Sequence, residues 1–431
     1  MSGYMILSAI TLLIGFAREL VVASRFGLSI GLDAYIAASG FFLFFGTQIG
    51  NALQNAFVSK VAVLGDRHHI NANLRSSFYS LIIVNIGIAA FLMLFSGQLI
   101  SAIFPAFTPE QHALTVKILY SLIIAIVFAN TAGLVRGALY VARIFWPGFL
   151  SGSIISVSVI SSVLLLSRTI GIAALVGGFV VGNFLVLILF ATILWKSGAM
   201  ANKEDGNGYV PKKFYIWGAA AIVIVTEVFY QAFTMTERSF ASRIRVGTIS
   251  SYYYAYTLLM VPLSLVMAPA TIMLFPRMTE TFSKNVRGGL RMLRNYGGAL
   301  FVFSVCIVIF ASMFSELIVR LVFVRGQFSL SDAQRTAGIF SILIFQLPFM
   351  SFARLVTYSF YSLADYTTPV FCMLFKWLLL MALGNYLVPR YGAKGLALSS
   401  TSAAAFWSCL MLLLLLLKTR NSSSRIQDAE T

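Results

Sequence analysis

The pentapeptide Ala-Ser-Arg-Phe-Gly at residues 23–27, followed by Ala-Tyr at 34–35, has a counterpart in the second half of the chain. The counterpart is Ala-Ser-Arg-Ile-Arg at residues 241–245, followed by Tyr-Tyr-Tyr-Ala at 252–255, about 218 residues further on. One short match of this kind has little weight, because short strings recur by chance. It becomes informative when other matches follow in the same order.

Two more pairs of segments recur at nearly the same offset. Residues 107–115 resemble 328–336, since each segment begins with Phe and a hydroxyl residue and ends with Thr. The other pair is 134–147 and 355–369, where Leu-Val, Tyr and Pro recur in that order at an offset of about 221 residues. Three ordered matches predict a duplicated structure, and duplicated bundles of membrane helices are the architecture of secondary transporters.

The composition identifies the environment of this structure. Of the 431 residues, 59% are hydrophobic and only 10% are charged, against about a quarter charged in soluble domains. Such a chain cannot cover a water-facing surface, so we predict an all-α polytopic membrane protein. The net charge of +17 does not indicate nucleic acid as a partner, because cytoplasmic loops of membrane proteins collect Lys and Arg.

Apolar segments long enough to cross a bilayer number about twelve, six in each half, since a spanning helix needs about 20 such residues. By residue number they are 5–25, 33–58, 78–103, 115–140, 147–167, 170–195, 214–234, 248–275, 297–323, 334–361, 368–388 and 394–417. We therefore predict two six-helix lobes around a central cavity. The predicted parts are an N-terminal lobe at 1–196, a cytoplasmic linker at 197–213, a C-terminal lobe at 214–418 and a polar cytoplasmic tail at 419–431.

Charge asymmetry orients the predicted bundle. With the N-terminus inside, more Lys and Arg residues fall on the cytoplasmic side than on the opposite side, as the positive-inside rule requires. Both termini are therefore predicted to be cytoplasmic. One helix start can also be read from the sequence, because Thr108, Pro109 and Gln111 match the pattern of a capping box.

The sequence holds no motif of a known enzyme class, since a Walker A loop, HExxH, GxSxG and a metal-spaced Cys/His cluster are all absent from it. Cys306, Cys372 and Cys409 lie in apolar runs without CxxC spacing. We therefore predict that the protein is not an enzyme and uses no catalytic residue, metal or cofactor. Without an ATP site, transport would run on the membrane potential or on a gradient of a coupling ion, H⁺ or Na⁺.

Ionisable residues inside apolar segments are the candidate site residues, because a charge in hydrocarbon is costly and is tolerated mainly beside a cavity or a partner. Arg18 lies in the first segment, Asp33 opens the second, Glu227 lies in the seventh and Arg354 in the tenth. We predict that these four residues line the central cavity and bind substrate. The alternative for the two arginines is a structural ion pair. For Glu227 two interpretations are equally favoured: a cation or proton site, or an ion pair with an arginine.

Three further ionisable residues interrupt apolar segments. Glu19 follows Arg18 in the first. Lys117, near the start of the fourth, is expected to extend its side chain to the membrane interface. For Lys376, in the eleventh, the interfacial placement and a buried functional role are equally favoured.

Several motifs resemble those of a known family. Gly-Phe-Ala-Arg-Glu at 15–19, followed by Asp-Ala-Tyr at 33–35, is similar to the opening signature of the MurJ (MviN) lipid II flippases. This family belongs to the multidrug/oligosaccharidyl-lipid/polysaccharide (MOP) exporter superfamily. Segments that resemble its second-half motifs follow in the expected order at 253–255, 274–277, 323–328, 360–361 and 367–370.

The resemblance implies a V-shaped pair of lobes in the bacterial inner membrane. It also implies transport of an undecaprenyl-pyrophosphate-linked glycan from the cytoplasmic to the outer leaflet, with membrane lipids and glycan-synthesis enzymes as candidate partners. Cavity arginines of the family are thought to hold the pyrophosphate. Arg18 matches one of them, and Asp33 matches a family acidic residue. The family positions that lack their charged residue here are Leu12, Phe45 or Gly46, Tyr256 and Thr257.

The missing arginines leave the substrate open between a lipid II-like peptidoglycan precursor and a polysaccharide repeat unit, because arginine is the side chain best suited to bind phosphate. Two other functions compete with the flippase. One is a gradient-coupled drug/cation antiporter of the same superfamily, with Glu227 or Asp33 as the coupling carboxylate. The other is a non-transporting scaffold of a glycan-synthesis complex, which is less favoured because a decayed cavity should lose its buried arginines.

Overall fold

The computed structural model describes residues 2–61, 69–198, 217–269 and 274–430. Within these ranges the backbone is almost entirely α-helical, and its only extended pairing is a bridge between Arg325 and Phe328. The prediction of an all-α protein is confirmed. The predicted linker, 197–213, lies outside the described residues from position 199 onward.

The structure contains fifteen α-helices and one π-helical segment within the described ranges. Those of the first half are α1 (Ser2–Phe26), α2 (Ile30–Phe42), a π-helical segment (Leu43–Gln48), α3 (Ile49–Val61), α4 (His69–Ile103), α5 (Pro109–Val141), α6 (Trp146–Ile170) and α7 (Ala173–Lys196). Those of the second half are α8 (Trp217–Ser242), α9 (Thr248–Pro269), α10 (Phe275–Lys284), α11 (Val286–Met313), α12 (Ser315–Phe323), α13 (Leu330–Leu343), α14 (Gln346–Ser362) and α15 (Thr367–Glu430). Gly392 has non-helical angles, φ 55° and ψ −132°, so α15 bends there into two arms.

Eight helical stretches in the described ranges are long and apolar enough to cross a membrane, and α13 with α14, bent by 44°, forms a ninth candidate. One of the eight, Thr367–Arg420, has 54 residues. At 1.5 Å per residue it is about 80 Å long, against a hydrocarbon core of ~30 Å, so its two arms account for two crossings. α8 and α9 correspond to the two remaining predicted spans, so each predicted span has a helical counterpart.

Backbone geometry repeats between the halves. Gly171, between α6 and α7, has φ 58°, and Gly392, at the bend of α15, has φ 55°. Arg143, after α5, has φ 64°, and Ala364, after α14, has φ 56°. Both pairs are separated by the offset of about 221 residues that the sequence shows. A left-handed backbone is uncommon outside glycine, so its recurrence at corresponding turns supports the duplication.

The chain divides into two compact units, Met1–Gln231 with Arg325–Ser329 and Ala232–Val324 with Leu330–Thr431. The short segment 325–329 packs on the end of α1, where the Gln327 N–H donates to the Ser24 carbonyl at 2.8 Å. Gly326 makes this approach feasible, because a Cβ at its position would lie 2.2 Å from the Ser24 oxygen. The bounds of the lobes, linker and tail proposed from the sequence stay predictions.

In the first unit α5 is the central helix and packs against α2, α3, α4 and α7. Its crossing with α3 is close, because a Cβ at Gly133 would lie 2.3 Å from the carbonyl oxygen of Gly50. One turn further along the same face, Arg136 Nη2 donates to Asn51 Oδ1 at 2.7 Å. The small residues and the polar pair together fix how α3 lies against α5.

The start of α5 is the capping box predicted from the sequence. The Gln111 N–H donates to Thr108 Oγ1 at 3.2 Å, and the Thr108 N–H donates to Gln111 Oε1 at 3.0 Å. These two bonds satisfy amides that have no partner within the helix. Pro109, in the first turn, needs no such partner.

The second membrane crossing contains a feature that the sequence did not predict. Residues 33–58 were expected to form one α-helix, but Leu43–Gln48 is π-helical. In this geometry the backbone hydrogen bonds run from residue i to i+5, so the segment holds an extra residue compared with an α-helix. π-Helical turns are rare overall, but many of those that occur lie at functional sites.

In the second unit α14 packs against α9, α10, α11 and α15. Asp365 precedes α15 and accepts hydrogen bonds from the N–H groups of Thr367 at 3.1 Å and Thr368 at 3.0 Å. Its other oxygen accepts from Lys418 Nζ at 2.5 Å. Burial opposes ionisation of this carboxyl, but these hydrogen bonds outweigh it and lower the pKa of Asp365 well below its usual range. The side chain therefore joins the start of α15 to the end of its second arm.

Candidate functional site

Arg18 and Glu19 form an ion pair on α1. Arg18 Nη2 lies 2.5 Å and Nε 3.1 Å from Glu19 Oε1. The side chain of Arg18 is 28% exposed and that of Glu19 is 8% exposed. The guanidinium is therefore partly accessible, and an anionic ligand would compete with the Glu19 carboxylate for it.

Asp33 is buried in the first turn of α2. The turn is capped by Ser29, whose hydroxyl accepts from the Leu32 N–H at 3.3 Å and whose carbonyl accepts from the Asp33 N–H at 3.0 Å. A carboxylate at this place is stabilised by the helix dipole. Asp33 therefore stabilises α2, whatever it does in transport.

The other two predicted site residues lie in different units. Glu227 is half-buried on α8 in the first unit, together with Arg18 and Asp33, whereas Arg354 is exposed on α14 in the second unit. The joint lining of a central cavity by these four residues stays a prediction. Lys117 is exposed on α5, as expected for a lysine that extends to the interface.

Local packing disfavours a large side chain at one of the positions that lack the family arginines, Gly46. Leu12 is 54% exposed on α1, and the Thr257 hydroxyl on α9 donates to the Tyr253 carbonyl at 2.9 Å. Gly46 lies in the π-helical segment, where a Cβ would be 3.1 Å from the Phe42 ring and 3.3 Å from the Ile126 Cα. A long cationic side chain at Gly46 would require both neighbours to move.

The second unit contains a buried polar cluster that sequence reasoning missed. At its centre is Glu237 on α8, which is 4% exposed. Its carboxylate accepts hydrogen bonds from the Tyr252 hydroxyl of α9 and from Ser400 Oγ of α15, the latter at 2.5 Å. Gln346 Nε2 of α14 donates to Ser400 Oγ at 2.9 Å. Three helices thus meet at one carboxylate, and α14 joins them through Ser400.

Lys376 on the first arm of α15 completes this second-unit polar cluster. It is 4% exposed, and its Nζ lies 4.1 Å from the centre of the Phe233 ring and 5.0 Å from that of Trp407. Its charge attracts that of Glu237. The next residue, Trp377, donates from Nε1 to Thr236 Oγ1 at 2.9 Å. The interfacial placement considered for Lys376 is therefore wrong, because aromatic rings hold the ammonium inside the helix bundle.

Sequence reasoning missed Glu237 because it ended the seventh span at residue 234, whereas α8 continues to Ser242. The signal was present as helical spacing. Phe233, Glu237 and Ala241 follow one another at intervals of four, and all three are buried. Intervals of three and four place residues on one helix face, so the carboxylate belonged to the buried face of the span.

The two polar groups differ in what they can do chemically. Arg18 offers a partly exposed cation, which suits an anionic ligand. The second-unit polar cluster holds an enclosed carboxylate and ammonium, which suit proton or charge coupling, since ionisable groups buried in membranes usually mark such pathways. In the ranges that the structure describes, no group of three or more His, Cys, Asp or Glu side chains is placed to hold a metal ion.

Comparison with known proteins identifies the family. The model of the lipid II flippase MurJ family matches residues 22–429, which is nearly the whole chain. The chain belongs to the MurJ lipid II flippase family. A probable lipid II flippase MurJ of Buchnera aphidicola (subspecies Schizaphis graminum) is 24% identical over 423 residues, which cover 93% of this chain and 79% of that protein. One of Rickettsia prowazekii is 26% identical over 407 residues, which cover 92% and 80%.

Solved structures share the fold. A lipid II flippase MurJ in an inward closed conformation matches with a TM-score of 0.83 at 20% identity, covering 96% of this chain and 87% of that chain. An inward-facing multidrug resistance MATE family transporter of the MOP superfamily matches with a TM-score of 0.77 at 12% identity, covering 97% and 99%. At these identities the likeness shows the fold alone, and that fold is the predicted bundle of two lobes.

Family membership and the apolar helices together show a multi-pass transport protein of the bacterial inner membrane. It is a transporter and not an enzyme, as the sequence predicted, and the resemblance to MurJ is confirmed. The cytoplasmic placement of both termini stays a prediction.

Proposed function

We propose that this protein is a flippase that moves an undecaprenyl-pyrophosphate-linked glycan from the cytoplasmic to the outer leaflet. The observation that carries the proposal is the extent of the MurJ family match, residues 22–429, which spans both halves of the duplicated chain. Alternating access needs both repeats, because one moves against the other. The name shared by the relatives, probable lipid II flippase, supports a lipid-linked glycan as the substrate.

Arg18 is the residue we assign to the pyrophosphate. Its guanidinium is partly exposed and makes a charge-assisted contact with Glu19 at 2.5 Å. Two oxygens of a tetrahedral phosphate can accept from one guanidinium, as a carboxylate can, so a phosphate can replace Glu19 as the partner. Release of the substrate would restore the pair with Glu19. The local ion pair thus keeps the cation satisfied when the site is empty.

Asp33, Glu227 and Arg354 complete the proposed substrate site. The exposed guanidinium of Arg354 can bind a second phosphate oxygen or an acidic group of the glycan. Ionised carboxylates accept hydrogen bonds, so Asp33 and Glu227 suit sugar hydroxyl groups or a coupling cation. These assignments rest on the position of the residues in the sequence and on their burial or exposure within each unit.

The membrane potential is the proposed energy source, alone or with a gradient of H⁺ or Na⁺. A pyrophosphate carries about two negative charges, and each is worth ~2.3 kcal/mol per 100 mV. With the inside negative, outward movement of the substrate gains about 5 kcal/mol at 100 mV. This is enough to drive accumulation in the outer leaflet without ATP.

Complementation in cells depleted of their own lipid II flippase tests the proposal. We expect incomplete rescue, because guanidinium groups are absent at Leu12, at Phe45 or Gly46, and at Thr257, and each lost charge-assisted contact is worth about 1.5–3 kcal/mol. Full rescue at native expression would identify lipid II as the substrate. Deletion of the gene in its own host would identify a polysaccharide repeat unit if surface polysaccharide is lost and its lipid-linked precursor accumulates. Failure to rescue the depleted cells, together with wild-type levels of lipid-linked precursors in the deletion host, would show that the flippase proposal is wrong.

Substitution of Arg18 separates transport from a scaffold role. Arg18→Ala should abolish whichever activity wild type shows, rescue of the depleted cells or restoration of surface polysaccharide in the deletion host. Arg18→Lys should retain part of that activity, since lysine keeps the charge but not the bidentate geometry. Arg168→Ala is the matched control, because Arg168 is an exposed arginine at the end of α6 in the same unit. Equal amounts in the membrane are checked by immunoblotting. Full activity of Arg18→Ala would favour the scaffold.

A further inference from the structure

The second unit holds a cavity of about 260 Å³ at one end of its helices. Its walls come from the connection between α8 and α9, the first turn of α9, α13 and the bend of α15. The floor contains Gly247, Thr248 and Ser251, all buried, and Ser251 Oγ lies 3.0 Å from Thr336 Oγ1. The base of the cavity is therefore polar and neutral.

Three cations surround this neutral floor. Arg245, Arg335 and Lys394 line the cavity, and all three are exposed. None of them has an ion-pair partner among the residues that the structure describes. Three like charges around one small cavity repel one another, and an anion between them would remove that repulsion.

No Asp or Glu lines the cavity, so no carboxylate within the lining offsets this charge. Glu316 on α12 accepts from Gln334 Nε2 at a long 3.5 Å, and Asp332 lies in the first turn of α13, one turn before Arg335. Both lie outside the lining. The cavity also receives the start of α9, whose dipole adds partial positive charge.

The surroundings of the cavity match a membrane interface. Tyr391 on its edge is 60% exposed, and tyrosine is enriched where helices leave the bilayer. The Cε of Lys394 passes 3.6 Å from the position where a Cβ of Gly338 would be, so the aliphatic stem lies on the helix and the ammonium reaches the rim. By the predicted orientation this end faces outward, where Lys and Arg are normally sparse.

We propose that this cavity binds the phosphate group of an anionic ligand at the membrane interface, with Arg245, Arg335 and Lys394 as its ligands. A volume of about 260 Å³ lies below the ~300–1,000 Å³ of ordinary small-molecule pockets, so it fits a headgroup and not a whole glycan. The phosphate can come from a phospholipid headgroup or from free phosphate in solution. The site is separate from Arg18 and does not depend on which lipid-linked glycan is moved.

The test measures lipid and phosphate binding to the purified full-length protein in detergent. Native mass spectrometry with phosphatidylglycerol and phosphatidylcholine reports on the headgroup, and a titration with inorganic phosphate reports on the free anion. The variant is R245Q/R335Q/K394Q. The matched control is R287Q/R291Q/R294Q, which removes the same charge from exposed positions on α11 of the same unit. Size-exclusion chromatography and thermal unfolding check that each variant is folded.

We expect wild type and control to bind phosphatidylglycerol in preference to phosphatidylcholine, and the cavity variant to bind it at least tenfold more weakly. The affinity should fall as salt is added, because the contacts are ionic. Binding of inorganic phosphate with the same dependence on the three residues, without lipid selectivity, would assign the site to a free anion. If the cavity variant does not fold, Arg335→Gln alone takes its place. Equal binding by the cavity and control variants would overturn the proposal.

Discussion

Removal of the buried ammonium in Lys376→Met should destabilise the second unit. The change takes the cation from between Phe233 and Trp407 and leaves the carboxylate of Glu237 buried, with its hydrogen bonds from Tyr252 and Ser400 intact. Breaking a directly paired buried charge costs about 3–5 kcal/mol. Because aromatic rings hold the Lys376 ammonium and two hydrogen bonds remain on the Glu237 carboxylate, we expect a smaller loss, about 1–3 kcal/mol.

The double-mutant cycle with Glu237→Gln gives this prediction its sharpest form. Glutamine keeps the shape of the side chain and removes its charge, so the lysine no longer has a charge to balance. Replacement of both members of a buried pair is often nearly neutral. We therefore expect the double variant to lose less stability than the two single variants lose in total, by about 0.5–3 kcal/mol, the coupling typical of residues in one network.

The assay is thermal unfolding of the purified protein in detergent, with wild type, both single variants and the double variant measured side by side. Lys117→Met is the control, because Lys117 is an exposed lysine of a membrane helix and its loss should leave the melting temperature nearly unchanged. Additive effects of the two single substitutions would refute the reasoning. They would mean that the two charges do not interact, despite their burial within one cluster.

Two further predictions concern the fold. Asp365→Asn should cost about 1 kcal/mol through loss of the charge that pairs with Lys418, while the amide oxygen can still cap α15. The folded-state pKa of Asp365 is lowered, so its ionised carboxyl adds to the free energy of unfolding above its unfolded pKa of about 3.9. This contribution is lost as the pH falls below that value. The stability of the variant, followed by unfolding at pH 3–7, should therefore depend less on pH at the acidic end than that of wild type. Gly133→Ala should prevent the close crossing of α3 and α5 and sharply lower the yield of folded protein, whereas Gly87→Ala, where a Cβ meets nothing within 4 Å, should leave it unchanged or raise it slightly. Normal folding of Gly133→Ala, measured by size-exclusion chromatography, would contradict the steric argument.

The sequence predicted the fold well where local signals were strong. The start of α5 was readable from Thr108 and Gln111, because a capping box depends on residues three apart. The duplication was readable from short matches, and it reappears as left-handed backbone at Gly171 and Gly392. Apolar length located the spans, since each crossing needs about 20 residues.

The site was harder to predict because its partners come from distant parts of the chain. The Glu237 carboxylate accepts a hydrogen bond from Ser400, which is far from it in sequence, and no local pattern predicts such a long-range contact. Arg18 was identified because an arginine is conspicuous in an apolar segment. An ion pair was the alternative considered for Arg18, but Glu19 was not named as its partner, since adjacent residues on a helix do not normally face each other.

The π-helical segment Leu43–Gln48 changes the direction in which the side chains of α3 point around the axis of the second crossing. One extra residue turns everything after it by about 100°, the angle that each residue occupies around an α-helix. Asn51 lies three residues beyond the segment, and its Oδ1 accepts a hydrogen bond from Arg136 Nη2 of α5 at 2.7 Å. Without the extra residue, Asn51 would point about a quarter of a turn away, and that guanidinium would lose its acceptor. The segment thus acts as a phase shift, which lets α2 and α3 each present the face that their own neighbours require.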